Sequence, residues 1–143
     1  MRIERVEEPR PDDWAAVRDG LVQYNLATAG ETNHYPVVFH LRGDSGEFLG
    51  GITGDVWLGR LSIEFLWIEE SLRGQGHGRR LLEGAERYGM ECGATHAHLD
   101  TYDFQAGPRY YERLGYEVFG VLGKAPEAIS YFMQKRLVAD VDR

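Results

Sequence analysis

An α/β domain with a mixed, mostly antiparallel sheet is the fold class that this sequence predicts. Three observations point to it. Short β-branched and aromatic runs alternate along the chain with stretches of helical periodicity. Their order, β-α-β-β-β-α-β-α-β-β, implies a sheet of about six to seven strands flanked by helices. The chain has 143 residues, of which 43% are hydrophobic and 12% aromatic. That is enough for a well-filled core, and a single domain over 1–143 is expected.

Each element has its own signal. Ile3 to Val6 alternates weakly and is expected as a first strand. Pro11-Asp12-Asp13 opens a helix, since Asp can cap and Pro suits the entry. Trp14, Val17, Leu21 and Tyr24 then recur at helical spacing. Gly30 and Asn33 mark a loop that ends at Tyr35-Pro36. Val37 to Leu41 reads as a strand, Gly43-Asp44-Ser45-Gly46 as a turn, and Glu47 to Trp57 as the next strand. Gly46, Gly50, Gly51 and Gly54 give that strand a bend or bulge. Gly59-Arg60 turns into the strand Leu61 to Ile68.

A second helix follows, with Leu81, Ala85, Tyr88 and Cys92 on one face and Gly93 as its C′ residue. Thr95 to Thr101 is a strand. Pro108 to Leu114 is a short helix, with Pro near its start and Gly115 past its end. Tyr116 to Phe119 and Ile129 to Leu137 are the last strands, and Val138 to Arg143 reads as a frayed tail.

The most telling segment joins Phe65-Leu66-Trp67-Ile68 to the second helix through Arg73-Gly74-Gln75-Gly76-His77-Gly78. Strand, glycine-rich turn and helix N-terminus together favour an anion, because backbone N–H groups and the helix dipole point at it. A phosphate-bearing cofactor is the natural occupant. A Walker A loop is disfavoured: Arg79 follows Gly78, and no Ser or Thr comes next to hold magnesium. A dinucleotide fingerprint also fails, because its third glycine falls at 78 where 79 is required.

Composition removes other classes. Sixteen basic residues against 23 acidic ones leave a net charge of −7, which disfavours nucleic acid and anionic membranes as partners. The lone Cys92 forms no internal disulfide and suits a buried structural thiol. No apolar run approaches the roughly 18–20 residues of a membrane span, and Met1-Arg2-Ile3-Glu4-Arg5 lacks an apolar signal segment. The cytoplasm is the expected location. His96 and His98 alternate on a strand, but no third or fourth ligand at useful spacing accompanies them, so no metal is expected.

The loop matches the acyl-CoA pattern [QR]-x-x-G-x-[GA] at Arg73, Gly76 and Gly78. Some thirty residues on stand Ala106 and Tyr110-Tyr111-Glu112-Arg113-Leu114-Gly115-Tyr116. With Leu99-Asp100-Thr101, Phe104-Gln105-Ala106, Gly115 to Gly120 and Tyr131 to Leu137, the chain resembles the GNAT N-acetyltransferases, in particular small bacterial members. The match is good over residues 47–137 and holds only in outline before them. Pro126-Glu127-Ala128 departs from the subgroup, which has a Pro-rich turn with a Gly-His pair there.

The resemblance implies a GNAT acyl-CoA N-acyltransferase fold, splayed between the fourth and fifth strands. It implies acetyl-CoA as co-substrate, gripped by Arg73, Gly74, Gln75, Gly76, His77, Gly78 and Arg79. Leu66, Trp67 and Ile68 would pair their backbones with the pantetheine arm, and Ile68 N–H would hold the oxyanion. Glu64 would be the general base, partly desolvated between Ile63 and Phe65, with Asp100 as the alternative. Tyr111 would protonate the leaving thiolate; Tyr110, about 100° around the helix, would then point elsewhere. The three tryptophans, Trp14, Trp57 and Trp67, are expected in the core or the cofactor wall. The acceptor would be a small-molecule primary amine in preference to a protein lysine, bound among residues about 20–45, Gly50 to Arg60 and the loop near Glu127. Family members often form homodimers. A non-catalytic acyl-CoA sensor with the same loop is the competing reading.

Overall fold

The computed structural model describes residues 1–139, so the expectation for the tail lies largely outside it. It divides into two compact units, residues 1–32 and the remainder from Asn33 onward. Among the described residues, no helix is long and apolar enough to cross a membrane.

The first unit contains helix α1 (Pro11–Ala29). Pro11 occupies the first turn, where a missing N–H costs nothing. Neither Asp12 nor Asp13 is the cap. Asp13 instead reaches back from inside the helix, its Oδ2 accepting the Arg10 N–H at 2.8 Å. The expected strand at Ile3 to Val6 does not form. Its residues are exposed, and this unit offers no neighbouring strand to satisfy their backbone. Trp14 is likewise exposed rather than in a core, because one helix alone has no second layer to pack on.

The second unit is a six-stranded sheet. Its strands are β1 (Tyr35–Arg42), β2 (Phe48–Trp57), β3 (Arg60–Ile68), β4 (His96–Tyr102), β5 (Glu117–Leu122) and β6 (Ser130–Arg136), in spatial order β1-β2-β3-β4-β6-β5. All neighbours are antiparallel except β3 and β4, which are parallel. A parallel pair needs a crossover, and helix α2 (His77–Glu91) supplies it. Helix α3 (Gly107–Glu112) links β4 to β5.

Helix α2 packs on β1, β2 and β3. It turns Leu81, Leu82, Ala85, Glu86 and Gly89 inward, against a core that includes Val37, Ile52, Val56 and Leu61. Tyr88 and Cys92 sit at the margin of this face, half-buried. Burying a side chain such as Leu82, 1% exposed, contributes about 1.5–3 kcal/mol.

The sheet opens at one place. Strands β3 and β4 pair only at Arg60–His96, Leu61–Ala97 and Ser62–His98. Beyond Ser62 they separate, although β3 runs on to Ile68 and β4 to Tyr102. This is the expected splay, now between the third and fourth strands because the N-terminal one is absent. Its cause is local. Across β2, Thr53 faces Phe65 and Gly54 faces Ile63, so Glu64 is an extra residue with no partner. A bulge of this kind bends its strand and increases the twist. Gly54 permits it, since a Cβ there would strike the Ser62 carbonyl. The bulge also shifts the alternation: Leu61 and Ile63 face inward before it, and Leu66 and Ile68 do so after it.

Candidate active site

The splay holds a cavity of about 1040 Å³. One wall is β3 from Ile63 to Ile68, whose edge toward β4 lacks a strand partner. Leu99, Asp100 and Thr101 of β4 face it, α3 contributes Tyr110 and Tyr111, and the glycine-rich loop closes one end.

The loop is tied to the strand before it. Arg73 Nε donates to the Ile68 carbonyl at 2.9 Å, so this arginine holds the loop in place. Gln75 Nε2 donates to the carbonyl of Ser71 at 3.3 Å, within an unforeseen 3₁₀ turn at Glu70–Leu72. Gly76 stands just before α2 at φ 84°, a left-handed conformation that glycine adopts without steric cost. The first helical bond runs from Arg80 N–H to the Gly76 carbonyl at 3.1 Å. The N–H groups of His77, Gly78 and Arg79 therefore lack intrahelical acceptors.

These features fit a diphosphate. Among the described residues, chain neighbours aside, nothing lies within 4 Å of where side chains on Gly74 and Gly76 would begin. His77 Nδ1 is buried without a hydrogen-bond partner, although its residue lines the cavity. Arg79 borders the same space, with Nε 2.8 Å from Glu83 Oε1 one helical turn on.

Of the proposed catalytic pair, Tyr111 is 7% exposed. Burial pushes its phenol up to about 12, with Tyr110 adding to the effect, so it stays protonated and able to donate. Glu64 lines the same cavity but is exposed, contrary to the expected desolvation. Alternation explains the difference: Glu64 follows the inward-facing Ile63 and so turns outward, and the bulge turns Phe65 outward as well. Asp100 is also exposed and lines the opposite wall.

Two residues escaped the sequence reading. Tyr110 was expected to turn away from Tyr111, yet both line the cavity, with their rings edge-on at 5.1 Å. The Tyr110 side chain reaches Gly78 in the first turn of α2, which a periodicity argument does not convey. Glu86, 6% exposed, is the other. It accepts from Tyr116 Oη at 2.9 Å and from Lys135 Nζ at 3.1 Å, joining α2 to β6 beneath α3. A carboxylate four residues after Leu82 on an apolar helix face was the available signal.

The comparisons with known proteins agree with this geometry. The model of the acetyltransferase (GNAT) family matches residues 2–116. The chain belongs to the GNAT acetyltransferase family. This GNAT protein is 38% identical over 108 residues to acetyltransferase Atu2258 of Agrobacterium fabrum, covering 76% of this chain and 78% of that one. It is 37% identical over 97 residues to the blasticidin-S acetyltransferase of Streptomyces morookaense, covering 66% and 71%. A 1.9 Å crystal structure of an acetyltransferase from Bacillus cereus matches it with a TM-score of 0.79 and 30% identity, over 94% of this chain and 98% of that one. It is therefore an N-acetyltransferase, in a family that uses acetyl-CoA.

Proposed function

We propose that this GNAT enzyme takes an acetyl group from acetyl-CoA and transfers it to the primary amine of a small molecule by direct attack. The observation that carries the reading is the continuity of one cavity. Loop amides, an unpaired strand edge, two carboxylates and a protonated phenol all line it. The small-molecule preference draws support from the relative named for blasticidin S.

The thioester supplies an activated acetyl group when bound. The loop from Arg73 to Arg79 holds the diphosphate through backbone N–H groups and the helix dipole. The open edge of Leu66, Trp67 and Ile68 takes the pantetheine amides as an added strand would. Ile68 N–H donates to the carbonyl oxygen as charge develops there. Glu64 takes the proton from the incoming ammonium, directly or through water, and its exposure suits a group that must exchange protons with solvent. Tyr111 returns a proton to the departing sulfur.

The test is release of free thiol from acetyl-CoA against a broad panel of amines that includes blasticidin S. Turnover with at least one small amine is expected. Tight acetyl-CoA binding with no acceptor in the panel, peptide lysines included, would overturn the reading in favour of a sensor.

A further inference from the structure

The cavity contains a hydroxyl that the proposed chemistry leaves idle. Tyr110 Oη stands 2.6 Å from where a Cβ on Gly78 would sit, in the first turn of α2. After that ring, the nearest atom to this point is Leu66 Cδ2 at 4.0 Å. The space in front of Gly78 thus belongs to the phenol. Among the described residues, the Tyr110 hydroxyl has no hydrogen-bond partner. Packing does not require the oxygen, since phenylalanine would fill the volume of the ring. The ring is also fixed, edge-on against the buried Tyr111.

We propose that Tyr110 is a ligand of the diphosphate of coenzyme A, donating its phenolic O–H beside the amides of His77, Gly78 and Arg79. The inference rests on the acetyl-CoA reading above and adds a side-chain donor to a grip otherwise made by the main chain. A phenol suits this place for three reasons. It is neutral, so it adds no charge beside Arg79. It loses little rotamer freedom on binding. It can donate only while protonated, and burial holds it in that form, outweighing the opposite pull of the Arg79 charge. Gly78 then has a second duty: it stays small so that this oxygen can stand against the helix.

Calorimetric titration of the purified enzyme with coenzyme A, in the absence of any amine, separates the possibilities. Tyr110→Phe keeps the ring and should weaken binding about tenfold, as a lost bond to a charged group does. Gly78→Ala should cost less affinity in the Tyr110→Phe background than in the wild type, because the added methyl no longer meets an oxygen. Equal affinities for wild type and Tyr110→Phe would overturn the inference, as would additive costs. A fall in kcat at unchanged affinity would also overturn it and give the hydroxyl to the leaving sulfur. If the wild type binds no coenzyme A, the acetyl-CoA reading itself has failed.

Discussion

Tyr116 donates its hydroxyl to Glu86 Oε2 across 2.9 Å, from a ring that stands edge-on to Tyr111 at 5.9 Å. Lys135 Nζ approaches the same carboxylate and lies 5.6 Å from the centre of the Tyr116 ring. One buried acid therefore fixes the platform on which the proposed proton donor rests. Glu86→Ala would strand a mostly buried ammonium and a buried phenol. We expect a loss of about 3 kcal/mol in denaturant unfolding. Glu86→Gln keeps an acceptor for Tyr116 and should cost clearly less. Equal stabilities for Glu86→Ala and wild type would show that the network adds nothing.

Tyr111→Phe should lower kcat by about 10²-fold, the usual contribution of a placed general acid. Coenzyme A affinity should hold, because the phenol acts on the sulfur only as it departs. A variant that turns over at the wild-type rate would remove Tyr111 from the mechanism.

Glu64→Gln should lower kcat/KM about 10²-fold at neutral pH. The deficit should shrink toward alkaline pH, where more of the amine is already unprotonated. A deficit constant across pH would count against Glu64 as the base.

Stability should fall at alkaline pH for a stated reason. Burial raises Tyr111 to about 12. Burial and the charge of Glu86 raise Tyr116 further. An unfolded tyrosine ionises near 10, while these two stay neutral in the folded chain. Their contribution is therefore complete below pH 10 and is lost as pH rises toward their folded values. The loss is about 1.4 kcal/mol per tyrosine per pH unit. Unfolding at pH 8 and pH 11 checks this, and Tyr116→Phe should flatten the slope.

Gly76→Ala tests the loop. Nothing stands near the added methyl, so its cost comes from φ 84°, about 1 kcal/mol. Coenzyme A affinity should drop several-fold as the amides lose their aim. Unchanged affinity would mean that the loop tolerates another backbone path.

Legibility in the sequence followed the range of the signals. The glycine-rich turn and the apolar run before it are contiguous, so the strand, loop and helix could be read within one window. The caps at Gly93 and Gly115 rest on single residues and proved correct, with φ 91° and 95°. The failures needed knowledge of neighbours. Ile3 to Val6 has strand-like alternation but no strand beside it. Glu64 has apolar neighbours in sequence, yet the alternation of the strand turns it outward. Tyr110 reaches the first turn of α2 only through its long side chain, and no spacing rule encodes that approach.

The unpaired residue in β3 makes this wall sensitive to counting as well as to chemistry. Removing one residue between Ile63 and Leu66 would restore regular alternation along β3 with Leu66 and Ile68 still facing inward. The bend would go with the extra residue, and the two strands could zip together where the cleft now lies. The segment should thus tolerate many substitutions at its outward positions and no change in length, so that variation in chain length is confined to its flanking turns.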